Sequence, residues 1–234
     1  MKKTLLLVFI FILSINAAYG QNAFDKNNFF TLNLISPTFS YTPRWNLGHH
    51  TFINKQFVLG AEIGFGSYAT TINFAPDSNW IYNEYKSFEF SPELKYLFNI
   101  NQKTKRFISF DVFYIYHTDN LKNKTYANQT DMNFYNYESA DYQRNKFGFN
   151  LNYGLITTLS KKIGIIYKIG LGLKMRSVKF SNIVNPTIDN YYEESDTFFT
   201  TINDFQVIEG FHTNINFNFE LQLYFKYKKK SLTD

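Results

Sequence analysis

From Phe147 to Leu155 every odd position is apolar or aromatic, while the even ones are Gly148, Asn150, Asn152 and Gly154. A period of two marks a strand with two unlike faces. The same alternation sets Ile163, Ile165, Tyr167, Ile169, Leu171, Leu173 and Met175 against Gly164, Lys168, Gly170, Gly172, Lys174 and Arg176. It returns where Phe211, Ile215, Phe217, Phe219, Leu221, Leu223 and Phe225 oppose His212, Asn214, Asn216, Asn218, Glu220 and Gln222. Carried along the chain, it predicts eight strands at about 28–36, 38–53, 57–72, 86–98, 106–117, 145–159, 163–178 and 206–225. Short connections near Asn54-Lys55, 99–105 and 160–162 alternate with long ones at 73–85, 118–143 and 179–205. The first hairpin is the least regular part, with Pro37 in or beside a tight turn and Pro43 and Gly48 interrupting the second strand.

Which face points outward follows from chemistry. A soluble sandwich would turn its polar face to water, but here that face is mostly Gly and Asn with sparse mixed charge, too little for solubility. The apolar face is therefore expected to meet lipid. Tyr41, Trp45, Trp80, Tyr82, Tyr85, Tyr96, Tyr114, Tyr116, Tyr224 and Tyr227 lie near strand ends, where a membrane barrel has its aromatic girdles. The expected fold is all-β: a transmembrane antiparallel up-and-down β-barrel of eight strands, with long extracellular loops and short periplasmic turns.

Composition agrees. Aromatic residues make up 20% of the 234, with 27 Phe and 18 Tyr, far more than an ordinary soluble core needs. No cysteine is present, which removes disulfides, thiolate metal sites, a cysteine nucleophile and a lipid-bearing cysteine. Residues 1–20 read as a cleaved signal peptide: Lys2 and Lys3, an apolar stretch from Leu5 to Leu13, and Ala18-Tyr19-Gly20 before the cut. That leaves 21–234 as the barrel domain, with a basic tail at 226–234, and makes the outer membrane the expected location. Beyond the signal the most hydrophobic segment, Ile163 to Leu173, is broken by Lys168 and three glycines, so a membrane helix is not expected.

The segment Phe90-Ser91-Pro92-Glu93-Leu94-Lys95-Tyr96-Leu97-Phe98, followed by a polar turn and Phe107 to Tyr116, resembles a strand common in the small outer-membrane β-barrel domain families of Gram-negative bacteria. Phe39-Ser40-Tyr41 and Phe57-Val58-Leu59-Gly60-Ala61-Glu62 are similar to the early strands of those families. Lys95 stands where the family pattern has Arg, and Lys226-Tyr227-Lys228-Lys229-Lys230 runs on past the aromatic Phe225. The resemblance implies an eight-stranded, porin-like barrel of the OmpA/OmpX kind without a peptidoglycan-binding domain. It implies location more than activity.

Five inward charges lie five positions from the turn end of their strands: Glu62, Glu93, Asp111, Lys168 and Glu220, with Lys95 and Arg44 within a few residues. An eight-stranded barrel is only wide enough to be filled by its own side chains, so these charges are expected to pair as a salt-bridge plug rather than to line a pore. A second inward group, Glu89, Lys146, Lys174 and Arg176, lies nearer the outside, where water would solvate it or an entering ligand would meet it. Charge also divides across the membrane. The turns and tail hold ten bases, among them Lys55, Lys103, Lys161, Lys162 and Lys226, against Asp234 alone; the long loops are acidic. Bases beside anionic headgroups favour anchoring to lipid, so the pI of 9.1 is not read as nucleic-acid binding.

No phosphate loop, HExxH or GxSxG motif occurs. A lipid A-modifying enzyme would need a histidine on or beside the lipid face near the outer leaflet, but His117 and His212 take the inward parity, and His49 and His50 lie toward the periplasmic end. The acidic loops lack the spaced ligands of a calcium site. The expectation is a non-enzymatic monomer, without cofactor or metal, that displays its outer loops for binding or adhesion or supports the envelope. Its expected partners are outer-membrane lipids, lipopolysaccharide and the outer-membrane assembly machinery, and its extracellular ligand is unspecified. Alternatives are a narrow channel for small solutes and an accessory component of a secretion or surface-assembly machine.

Overall fold

The computed structural model describes residues 27–40, 42–72, 84–98, 103–128, 133–189 and 207–228. The expected signal peptide, much of two expected outer loops (73–83 and 190–206) and the end of the basic tail lie outside the described residues. No described helix is long and apolar enough to cross a membrane.

Nine strands form one antiparallel sheet: β1 (Asn27–Asn33), β2 (Trp45–Phe52), β3 (Phe57–Ser67), β4 (Lys86–Phe98), β5 (Thr104–Ala127), β6 (Phe134–Thr158), β7 (Ile163–Val184), β8 (Thr187–Ile188) and β9 (Gly210–Lys228). Successive strands pair in order from β1 to β7, β7 pairs with β9, and β9 returns to β1, so the sheet closes into a ring of eight strands. The two-residue β8 stands outside that ring, on β6. Closure removes the free edges that an open sheet would leave.

Three expected boundaries are corrected. The stretch expected as a strand from 38 begins as one helical turn, Ser36–Phe39, and β2 starts only at Trp45. Pro37 has the fixed φ that suits a first turn, and Asn33 Oδ1 accepts the backbone N–H groups of Ile35 (2.9 Å) and Ser36 (3.2 Å). β3 ends at Ser67, where Ser67 and Thr70 cap a short 3-10 turn. Most of the expected loop 118–143 is strand, because β5 and β6 stay paired as far as Ala127 and Phe134. This extension has its own apolar cluster of Leu121, Tyr126, Tyr137, Ala140, Tyr142, Val178 and Phe180. It is also pinned by Asp141, which accepts from Asn120 (2.9 Å) and Asn182 (2.7 Å) and whose carboxyl those two amides hold below the usual carboxylate range.

One end of the ring has the turns near Asn54 and Ser160 and both ends of the described chain; the opposite end has the helical turn at Ser36–Phe39 and the β5–β6 extension. Inward side chains at the turn end build an apolar plug to which each strand of the ring gives one residue: Phe29, Phe52, Val58, Leu97, Phe107, Ile156, Ile166 and Tyr224. Tyr224 thus belongs inside rather than in a girdle, and so does Tyr85, whose hydroxyl donates to Pro43 O (2.7 Å). Outward residues are largely exposed and apolar, and cross-strand register joins Leu94, Phe110, Leu151, Leu171 and Phe217 into one row around the wall.

Gly154 makes room for the plug, since a Cβ there would meet the Phe107 ring and lie 2.6 Å from the carbonyl of Tyr167. Gly154→Val is expected to overpack the turn end at a cost of about 1–3 kcal/mol, read as a lower urea midpoint of the folded chain. An unchanged midpoint would show that Phe107 is not held against this glycine.

Candidate functional site

Directly above the plug, toward the loop end, the interior becomes ionic. Lys168 projects inward from β7 because its neighbours Tyr167 and Ile169 take the outward face. Its Nζ lies 2.9 Å from Glu220 on β9, 3.3 Å from Glu93 on β4 and 3.7 Å from Asp111 on β5. β4 lies on the far wall of the ring from β7, so one ammonium spans the interior. Glu93 also accepts from Lys95 at 2.5 Å, two positions along the same face. Glu62 completes the layer from β3, accepting from Gln222 on β9 at 2.7 Å.

Two relays of amides tie this layer to the wall. Asn216 donates to Asn150 (2.7 Å), which donates to Asp111 (2.7 Å); Asn218 donates to Asn152 (2.9 Å), which donates to the other oxygen of Asp111 (2.6 Å). Each relay passes from β9 to β6 over the intervening β7, where Gly170 and Gly172 leave the necessary space. A Cβ on either glycine would meet the bridging asparagine oxygen. The Gly/Asn alternation is therefore a packing arrangement as well as a facing signal.

Of the sequence-identified set, Glu62, Glu93, Lys95, Asp111, Lys168 and Glu220 share this layer, but Arg44 does not. It precedes β2 on the loop side and pairs with Glu89, a member of the second group. Asn46 also donates to Glu89 at 2.6 Å. Lys146, Lys174 and Arg176 lie nearer the loop end on β6 and β7, where Lys146 faces Arg176 in register.

Two participants escaped the sequence reading. His50 is fully buried, with Nδ1 3.3 Å from Lys95 Nζ, Nε2 3.3 Å from Thr31 Oγ1, and its ring stacked 4.9 Å from Phe29. Its even parity with Asn46 and Gly48 was the available signal; its place near the turn end hid it. Arg144, buried at 1% exposure, fell between the predicted loop and the predicted strand. His50, Glu62 and Glu93 offer ligand atoms within 4.8 Å of one another, a spacing that would suit a cation. The Lys95 ammonium already supplies positive charge there, contacting both His50 and Glu93.

Between the ionic layer and the Arg44–Glu89 pair lies a cavity of about 290 Å³. Asn33, Ser40, Asn46, Asn150, Asn216 and Asn218 line it together with Arg44, Glu89, Asp111, Lys146 and Glu220. It is a polar cup whose floor is the ionic layer. His117 and His212, the histidines of inward parity, sit above it: His117 is buried, and His212 is half-buried with Nε2 3.0 Å from the Glu209 carbonyl.

Removing Lys168 takes from Glu93, Asp111 and Glu220 the cation they share in a confined space, and breaking such a buried network costs about 3–5 kcal/mol. Lys168→Leu is accordingly expected to lower the melting temperature of the folded chain, while Lys161→Leu, which deletes the same charge from an exposed turn, leaves it nearly unchanged. Equal melting of the two variants would show that the layer does not hold the ring together.

No protein-family model and no curated protein matches the sequence, so the chemistry of this interior is the guide to what the chain does.

Proposed function

We propose that the chain is an integral outer-membrane β-barrel of eight strands, exported by the segment 1–20 and resembling the small outer-membrane barrel families, that acts without catalysis by presenting its loop end outside the cell. The observation that carries this reading is the inversion of the usual soluble pattern. Exposed side chains around the ring include Leu47, Leu151, Ile169, Leu171, Ile215 and Phe217, while Lys95, Lys168, Glu62 and Glu93 are buried. A soluble monomer rarely exposes a continuous apolar surface of this extent. From Ile163 to Met175 the outward face of β7 is apolar or aromatic. At about 3.4 Å per residue and a tilt of about 40°, that stretch rises about 30 Å, close to the hydrocarbon thickness of a bilayer.

Both ends of this band have aromatic rings with polar partners. At the turn end Tyr227 stacks on Phe30 and meets His49 at 2.6 Å, and Tyr96 accepts from Gln56 at 3.0 Å. At the loop end the Trp45 indole donates to Thr70 O (2.9 Å), and Tyr114 donates to Asn145 (2.8 Å). Such amphipathic rings suit the two membrane interfaces. The plug and the ionic layer favour a closed wall over a channel. The paired β5–β6 extension, stiffened by its own cluster, favours a platform for binding or adhesion. Outer-membrane lipids, lipopolysaccharide and the assembly machinery are the implied partners.

Two measurements test the reading. Leu171→Arg, at mid-wall, is expected to cost about 2–4 kcal/mol and to impair membrane assembly, and a cysteine at 171 is expected to react with a water-soluble reagent far more slowly than one at Asn136 in the extension. Equal labelling would reject the lipid-facing wall. Planar-bilayer recordings of the purified chain are expected to show no stable conductance; steady open channels would replace the platform by the narrow-channel reading.

A further inference from the structure

An eight-stranded ring is either packed by its own side chains or left wide enough for one small ligand. Below the cup this ring is packed, first by the apolar plug and then by the ionic layer. At the cup it is not. Asn33 on β1, Ser91 on β4, Asn150 on β6 and Asn216 and Asn218 on β9 take inward positions where larger side chains would close the space. Gly170 and Gly172 keep the intervening wall of β7 bare. The cavity of about 290 Å³ that results is close to the lower bound, about 300 Å³, of pockets that take small molecules. Phe39 of the helical turn also lines it and is 61% exposed, so the space reaches the surface at the loop end.

The lining restricts what can enter. Its three carboxylates already have partners: Glu89 pairs with Arg44, and Asp111 and Glu220 with Lys168. An anion would meet those carboxylates, and a cation would meet Arg44 and Lys146. A neutral ligand disturbs neither. Two groups on the wall retain hydrogen-bonding capacity. Lys146 makes no hydrogen bond or ion pair among the described residues, and Asn46, 3% exposed, donates to Glu89 at 2.6 Å while its Oδ1 accepts from no described group. A hydroxyl answers both, because it can accept from an ammonium and donate to an amide oxygen. The asparagine amides of β6 and β9 suit further hydroxyls, and Phe113, inward on β5, offers an apolar surface to C–H groups.

We propose that the cup binds a neutral polyhydroxylated solute of monosaccharide size, with Lys146 and Asn46 hydrogen-bonding its hydroxyls, Asp111 and Glu220 beneath it and Phe113 against its apolar face. A free sugar and the terminal residue of a glycan present this chemistry alike. The site goes beyond the reading of the chain as a barrel that presents its loops, and it can fail without that reading failing, since binding to the folded chain in detergent is separate from labelling of the wall and from conductance.

The full chain, folded in a polyoxyethylene detergent without glycerol or sugar, is titrated calorimetrically with glucose, galactose and mannose, with the trisaccharides maltotriose and mannotriose, and with glucosamine and glucuronate as charged counterparts. At least one neutral monosaccharide is expected to bind, and more tightly than either charged sugar. Binding of monosaccharides alone assigns a free solute, and binding of a trisaccharide as well assigns the end of a glycan. Ser91→Phe places a ring in the cavity and removes no described side-chain hydrogen bond, so it is expected to abolish binding without lowering the melting temperature. Lys146→Met is expected to weaken binding about tenfold, and Lys161→Gln, in an exposed turn, to leave it unchanged. The bound sugar should also raise the melting temperature of the unaltered chain and not that of the Ser91→Phe variant. Absence of binding by every neutral probe, tighter binding of a charged one, or binding unaffected by Lys146→Met, or by Ser91→Phe in a chain that still folds, would each overturn the proposal.

Discussion

The ammonium of Lys168 draws together carboxylates from β4, β5 and β9, and most of the ring depends on that convergence. A closed sheet of eight strands encloses only enough width for side chains, so a charge that points inward has little water to solvate it and must find its counter-charge on another strand. Lys95 on Glu93, Gln222 on Glu62 and the asparagine relays onto Asp111 satisfy what Lys168 leaves. Because all of these contacts but the Lys95–Glu93 pair join different strands, they set one register for the whole ring rather than for one hairpin.

The interior is graded along its axis. Apolar residues close the turn end, paired ions follow, then a polar cup, and beyond it Arg144, Lys146, Lys174 and Arg176 share the interior with the buried Asp119. Each level uses the same device, alternate residues pointing in, but exposes a different chemistry. The two levels nearest the turns are self-satisfied and so serve stability.

Much of this was legible along the chain. Strict alternation in β6, β7 and β9 identified the strands and their inward members, and counting from the turns brought Glu62, Glu93, Asp111, Lys168 and Glu220 to one depth. It misplaced Arg44, because the irregular segment around Pro43 carries no period to count along; the partner of Arg44 is set by the helical turn at Ser36–Phe39 and the approach of β4. His50 was hidden for a different reason. Its neighbour His49 faces outward to Tyr227, and only parity with Asn46 and Gly48 separates the two imidazoles, a weak signal in so short a strand near the turn end.

What the sequence by itself determined is the two-faced character of each strand, since side-chain direction in an extended chain follows from parity alone. Tertiary structure decided which inward groups meet. The reach of Lys168 across the ring, the pairing of β5 with β6 out to Ala127 and Phe134, and the facing of Arg144 with His117 and of Lys146 with Arg176 all depend on closure and stagger. Those are properties of the assembled ring, because the distance between two inward residues on different strands has no counterpart in their separation along the chain.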